Sequence, residues 1–156
     1  NLVAVEDVQD SVESVLIKAG YDDVSVTSAY RAYDYQEELY NGYISKEMKA
    51  GLSKEEAQAI VDTYSARPGT SEHQVGLAVD FNSVEQSFKN TKTYQWLEAH
   101  CTDYGFILRY DVNKQSKSGI IPEPWHYRFV GVKNAKLIEA SGLCMEEFIE
   151  KYSKAQ

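Results

Sequence analysis

Two of the chain's three histidines stand in settings that suit metal binding. His73 lies in the polar stretch entering "GLAVDF", Asp80 stands seven positions later within that apolar run, and His126 follows "PEPW". Two imidazoles and a carboxylate fit a catalytic zinc, which takes three protein donors and keeps a fourth position for water. Such a centre stays net positive, enough to draw the pKa of bound water toward roughly 7. Amide hydrolysis then needs a base. Glu123 stands three residues before His126, with Pro122 and Pro124 restricting the backbone on both sides. One carboxylate held there can take a proton from water and later deliver it to a leaving amine. The oxyanion that forms needs a fixed cation, and Arg31 is the candidate because a guanidinium is always charged and offers a planar fork of donors.

Taken singly, each residue has a plainer reading. His73 fits a surface loop, Asp80 a turn cap, His126 a packed core and Glu123 a solvated loop. Arg31 fits a surface pair with Asp34, worth about 0 to 1 kcal/mol. The coincidence of the five lifts the set above these alternatives. The helical zinc signature HExxH is absent. His100 falls on a predicted helix and is read as having no part in the site.

The elements that must position these residues follow from hydrophobic spacing. The stretch Glu6 to Ala19 places Val8, Val12, Val15, Leu16 and Ala19 at helical spacing before Gly20. Val24 to Tyr30 alternates like a strand, leaving Arg31 near its end. Helices are predicted over Asp34 to Ala50 and Ser53 to Tyr64, the second opened by a capping box of Ser53 and Glu56. "GLAVDF" reads as a buried strand, Thr91 to Tyr104 as a helix stopped by Gly105, and Phe106 to Tyr110 as a strand. A fourth strand is predicted over Trp125 to Gly131, and short helices over Ala135 to Ala140 and Met145 to Tyr152. Strands and helices alternate without regular βαβ spacing, which predicts an α+β domain with a mainly antiparallel central sheet flanked by helices.

At 156 residues the chain fits a single domain, 1–156. A net charge of −8 opposes a nucleic-acid groove. No apolar run approaches the roughly 20 residues of a membrane span, and the first residues lack the pattern of a signal peptide. The start at Asn1 without methionine leaves room for a removed export signal or N-terminal membrane anchor. Cys101 and Cys144 form no CxxC or Cys/His cluster and read as two buried free thiols, with one disulfide left open.

"SAYRAYDYQ" (Ser28 to Gln36), "SEHQVGLAVDF" (Ser71 to Phe81) and "EPWHY" (Glu123 to Tyr127) resemble, in the same order, the three signature segments of the VanY-type D-alanyl-D-alanine carboxypeptidases. That group of zinc peptidases includes the VanX dipeptidases and the bifunctional VanXY enzymes, with signalling domains of hedgehog proteins as relatives of the fold. The resemblance implies a zinc D,D-peptidase fold in which His73, Asp80 and His126 bind Zn2+, Glu123 is the base and Arg31 stabilises the transition state. Ser71 and Gln36 match positions implied to contact substrate. The implied substrate is a peptidoglycan stem peptide or precursor ending in D-Ala-D-Ala, with a role in cell-wall remodelling or vancomycin resistance and an extracytoplasmic location, a cytoplasmic one being left open. Alternatives within the family are an L,D-carboxypeptidase on tetrapeptide stems and a D-Ala-D-Ala dipeptidase. Outside catalysis, the alternative is a binding module that keeps the zinc fold, which the presence of Glu123 and Arg31 opposes. Ala29 and Ala32 depart from the Ser-Gly-Tyr-Arg-Ser of relatives, small residue for small, so the turn carrying Arg31 is expected to survive. Arg109 is a further candidate cation for a substrate carboxylate.

Overall fold

A computed structural model of the chain describes residues 12, 14, 16–21 and 24–153. Four short strands make one antiparallel sheet: β1 (Val26–Ser28), β2 (Ala78–Phe81), β3 (Phe106–Tyr110) and β4 (Glu123–Phe129), in the order β1-β2-β4-β3. Around it lie α1 (Tyr33–Lys49), α2 (Lys54–Val61), α3 (Lys92–His100), the short α4 (Gln115–Ser118), α5 (Val132–Ser141) and α6 (Met145–Ser153). This is the expected α+β arrangement. The predicted first helix is helical at residues 12, 14 and 16–18, whereas its Val8 and Val15 lie outside the described residues.

Strand alternation sends side chains to two different tasks. Val79, Phe81, Trp125 and Tyr127 join Val12, Leu16, Phe88, Leu97 and Phe106 in the largest apolar core. Asp80 and His126, between those apolar positions, face the other way. The pairing of β2 with β4 sets Asp80 directly opposite His126, and the pairing of β1 with β2 sets Ser28 opposite Asp80. A second small core, Tyr40, Ile44, Ala57 and Val61, joins α1 to α2. The α2 capping box is formed, with the Ser53 hydroxyl accepting from Glu56 N–H and the Glu56 carboxylate accepting from Ser53 N–H.

The predicted helix over Thr91 to Tyr104 is α3 followed by a 3-10 turn at Cys101–Tyr104. Gly105 ends it at φ +83°, where a Cβ would stand 2.8 Å from Phe129 Cε2 and 2.9 Å from Val132 N. Left-handed backbone alone costs a non-glycine residue about 1 to 3 kcal/mol. Gly105→Ala is therefore expected to lose more than that in denaturant unfolding. Gly142→Ala, also at positive φ but with open space around its Cβ position, is expected to lose less.

Strand β4 starts two residues earlier than the sequence predicts, so Glu123 and Pro124 belong to it. Residues three apart on a regular strand point to opposite faces, which would separate Glu123 from His126. The register breaks here: β3 advances from Leu108 to Tyr110 while β4 runs back from Tyr127 to Glu123. This bulge accommodates Pro124, which has no N–H for the ladder, and returns Glu123 to the face of His126. Cys101 and Cys144 are both free and buried, and among the described residues no helix is long and apolar enough to cross a membrane.

Candidate active site

His73 is carried by a 3-10 turn, Glu72–Val75, that the sequence reading treats as loop. The Ser71 hydroxyl caps the turn by accepting from His73 N–H, and Gly76 closes it in the left-handed conformation at φ 65°. The connection from β1 to α1 fixes the residue further: Arg31 N–H donates to the His73 carbonyl at 3.1 Å, and His73 Nδ1 lies 2.7 Å from the Ala29 carbonyl. A carbonyl only accepts, so Nδ1 carries the proton and the Nε2 lone pair is left facing inward. Only the backbone of Ala29 takes part, and its φ is not positive, which explains why alanine serves in this turn.

That inward lone pair meets carboxylate oxygen. His73 Nε2 lies 3.3 Å from Asp80 Oδ2, and His126 Nδ1 lies 3.2 Å from Asp80 Oδ1. His73 Nε2 and Asp80 Oδ1 are buried without a hydrogen-bond partner. One donor atom from each of His73, Asp80 and His126 falls within 4.8 Å of the others, and all three residues are buried. Donors about 2.0 to 2.1 Å from a tetrahedral zinc stand about 3.3 to 3.4 Å apart, close to the two Asp80 separations seen here. Buried donor atoms converging within 4.8 Å, two of them without a hydrogen-bond partner, fit a divalent cation.

The electrostatics follow from crowding. Burial pushes the Asp80 carboxyl up, but the His126 and His73 imidazoles beside it, His126 foremost, outweigh this and hold the group well below the usual carboxylate range. Burial lowers His73 and keeps it neutral, as a metal ligand must be. Burial also opposes charge on His126, yet Asp80 and Glu72 raise it to about 9, so positive charge is favoured at this point. Glu123 lies with Oε2 3.5 Å from His126 Nδ1, and burial raises it to about 7 despite the nearby His126.

Arg31 reaches the same cluster from beyond β1. Its Nε donates to Ser28 Oγ at 2.8 Å, its NH1 to Gln36 Oε1 at 3.0 Å and its NH2 to Asp80 Oδ2 at 2.8 Å. Those bonds use three of the five guanidinium N–H groups, and Arg31 lines the cleft. The cleft has a volume of ≈ 340 Å³ and is lined by Arg31, Ser71, His73, Asp80, Glu123 and His126 together with apolar walls from Tyr43, Tyr64, Val84, Ile120, Ile121 and Trp125. The loop after β3 contributes Ile120 and Ile121, so it borders the cleft.

Two expectations change. Gln36 is fully buried, with its amide donating to the Ala66 carbonyl and its oxygen holding Arg31, so it sits behind the arginine rather than on the cleft wall. Arg109 is not a free cation for substrate: it does not line the cleft, and its guanidinium is bonded to Glu72 and Glu146. His100 is half exposed beside Asp103, away from the cluster. The sequence reading missed Glu72, whose Oε2 lies 3.5 Å from His126 Nε2, and Tyr110, whose ring centroid is 5.0 Å from that of His126. Glu72 is adjacent to His73, but a lone acidic residue in a polar loop carries no signal of burial.

Residues 5–132 match the family model "VanY: D-alanyl-D-alanine carboxypeptidase". The chain is 40% identical over 124 residues to a D-alanyl-D-alanine carboxypeptidase of Enterococcus faecalis, covering 80% of this chain and 46% of that protein. The chain thus spans about half the length of the curated relatives it matches. Among solved structures it resembles VanYB in complex with D-alanine-D-alanine, with TM-score 0.80 and 35% identity over 94% of this chain and 82% of that one. It also resembles a zinc complex of a mutant vancomycin-resistance D,D-pentapeptidase VanY, with TM-score 0.77 and 35% identity over 92% and 82% of the two chains. With its histidine and aspartate donors gathered on one cleft and the match running through both segments that carry them, the chain belongs to the VanY D-alanyl-D-alanine carboxypeptidase family.

Proposed function

We propose that residues 1–156 form one catalytic domain, a zinc-dependent D,D-carboxypeptidase that removes the terminal D-alanine from peptidoglycan stem peptides ending in D-Ala-D-Ala. The observation that carries this reading is the convergence of His73, Asp80 and His126 donor atoms beside Glu123 and Arg31 on one cleft. His73 Nε2, Asp80 and His126 Nδ1 would hold the metal, which when bound supplies Lewis acidity toward the scissile carbonyl and the attacking water.

The chain's own residues do the rest. Glu123, buried on the bulged start of β4, receives the proton that water loses on attacking the carbonyl carbon. It then gives that proton to the D-alanine nitrogen as the C–N bond breaks, so the carboxylate is regenerated and the products are a shortened stem and free D-alanine. Arg31 turns its two remaining N–H groups toward negative charge in the cleft, held in place by Ser28, Gln36 and Asp80. The Ser71 hydroxyl accepts from His73 N–H and keeps its own proton to donate to the substrate.

Arg31→Lys removes the fork while keeping one charge. It is expected to lower kcat/KM by about 10²- to 10³-fold with metal content unchanged. Metal lost along with activity would assign Arg31 to holding Asp80 alone.

The substrate class is tested with three peptides of increasing demand on the cleft: free D-Ala-D-Ala, a tetrapeptide stem and a pentapeptide stem ending in D-Ala-D-Ala. Release of D-alanine is expected chiefly from the pentapeptide. Cleavage of the free dipeptide without the pentapeptide would overturn the carboxypeptidase reading in favour of a dipeptidase, and preference for the tetrapeptide would make the enzyme an L,D-carboxypeptidase. Removing the terminal D-alanine destroys the D-Ala-D-Ala end that glycopeptide antibiotics bind, so the proposed reaction fits cell-wall remodelling or vancomycin resistance outside the cytoplasm.

A further inference from the structure

A metal-bound imidazole uses one ring nitrogen on the ion and must place its other N–H on a partner, which fixes the tautomer and the angle of the ring. For His126 that partner is Glu72. His126 Nδ1 faces Asp80, and Nε2 lies 3.5 Å from Glu72 Oε2. The other Glu72 oxygen accepts from Arg109 Nε at 2.8 Å and lies 3.3 Å from Arg128 NH1. With two guanidinium groups on one oxygen, the Glu72 carboxylate turns its other oxygen toward His126.

Arg109 is itself buried, with 8% of its side chain exposed, and a buried guanidinium needs its remaining N–H groups answered. Glu146 answers them as a two-pronged partner: NH1 donates to Oε2 at 3.1 Å and NH2 to Oε1 at 2.5 Å. Glu146 stands in the first turn of α6, whose Met145 and Phe148 pack against Ile107, Ala135 and Ile138. The helix lies beyond residue 132, where the match to the family model stops. A continuous chain of polar contacts therefore runs from α6 through Arg109 on β3 to Glu72 and ends on His126.

Resting on the metal-centre reading above, we infer that Glu72 and Arg109 are positioning residues for His126, and that α6 supports the metal centre through Glu146. None of these residues need touch substrate. Removing Glu72 leaves His126 Nε2 without its acceptor and sets Arg109 and Arg128 side by side without the carboxylate between them. Removing the Glu146 charge loosens the fork that aims Arg109.

The test measures zinc affinity by competition with a chromophoric chelator, together with the visible spectrum of the cobalt(II)-loaded protein, which reports ligand geometry independently of turnover. Glu72→Ala is expected to weaken zinc binding by about 10- to 100-fold and to alter the cobalt spectrum. Glu72→Gln, which keeps volume and one acceptor oxygen, is expected to recover part of that loss, and it decides the matter if the alanine variant does not fold. Arg109→Met and Glu146→Gln are expected to shift both readouts in the same direction by smaller factors.

Parent-like affinity and spectrum in Glu72→Gln and Glu72→Ala would overturn the inference while leaving the metal centre standing. An effect of Glu72 with none from Glu146→Gln would remove α6 from the relay. Failure of the parent protein to bind zinc would instead bring down the metal-centre reading, and the relay with it.

Discussion

Glu123→Gln is expected to lower kcat by about 10²- to 10⁴-fold while the protein keeps its metal and its fold. The amide has nearly the shape of the acid it replaces and suits a site where burial already raises the Glu123 carboxyl to about 7, so removing the charge costs the fold little. What it cannot do is accept a proton from water and return it to an amine. The check is a single-turnover assay on a D-Ala-D-Ala-ended pentapeptide beside metal analysis of the same preparation. A variant within threefold (roughly 0.65 kcal/mol) of the parent rate would take Glu123 out of the proton transfer.

The second large effect belongs to Asp80, because one carboxylate serves three neighbours. Its oxygens lie 2.8 Å from Arg31 NH2, 3.3 Å from His73 Nε2 and 3.2 Å from His126 Nδ1, and its side chain is 3% exposed. Asp80→Ala removes a proposed metal donor and leaves Arg31 without its carboxylate. Breaking a fully buried ion pair costs about 3 to 5 kcal/mol; the cost here is expected at or below the lower end, since the Arg31 side chain is 16% exposed and keeps Ser28 and Gln36 as acceptors. Metal content near zero, background activity and a lower denaturant midpoint should appear together. Stoichiometric zinc in Asp80→Ala would exclude Asp80 as a necessary ligand.

How much of this was legible in the sequence depends on what each residue needs. His73, Asp80 and His126 could be read because donor type and small-residue spacing are local, and pairing of β2 with β4 supplies the rest by setting Asp80 opposite His126. Helices α1 and α2 were likewise expected, and the Ser53/Glu56 pair announced the start of the latter. Glu123 was harder. Strict alternation places it on the wrong face, and only the bulge around Pro124 makes it part of the site.

Gln36, Glu72 and Arg109 were misjudged or missed for one shared reason: burial of a polar side chain depends on partners remote in sequence. Arg109 meets Glu72 and Glu146, each 37 positions away, and Gln36 meets Ala66 30 positions away. No window of sequence around any of them holds that information. The 3-10 turn carrying His73 escaped notice because a four-residue turn has too few positions to display a period.

The central claim is that the His73–Asp80–His126 cluster is a working zinc centre for cleaving D-Ala-D-Ala ends. It is tested most directly by measuring zinc per chain and D-alanine released from a pentapeptide stem in one preparation, before chelation, after chelation and after zinc is returned. One zinc per chain, loss of release with the metal and recovery on its return are the predicted results. Undiminished release from the metal-free protein would contradict the account.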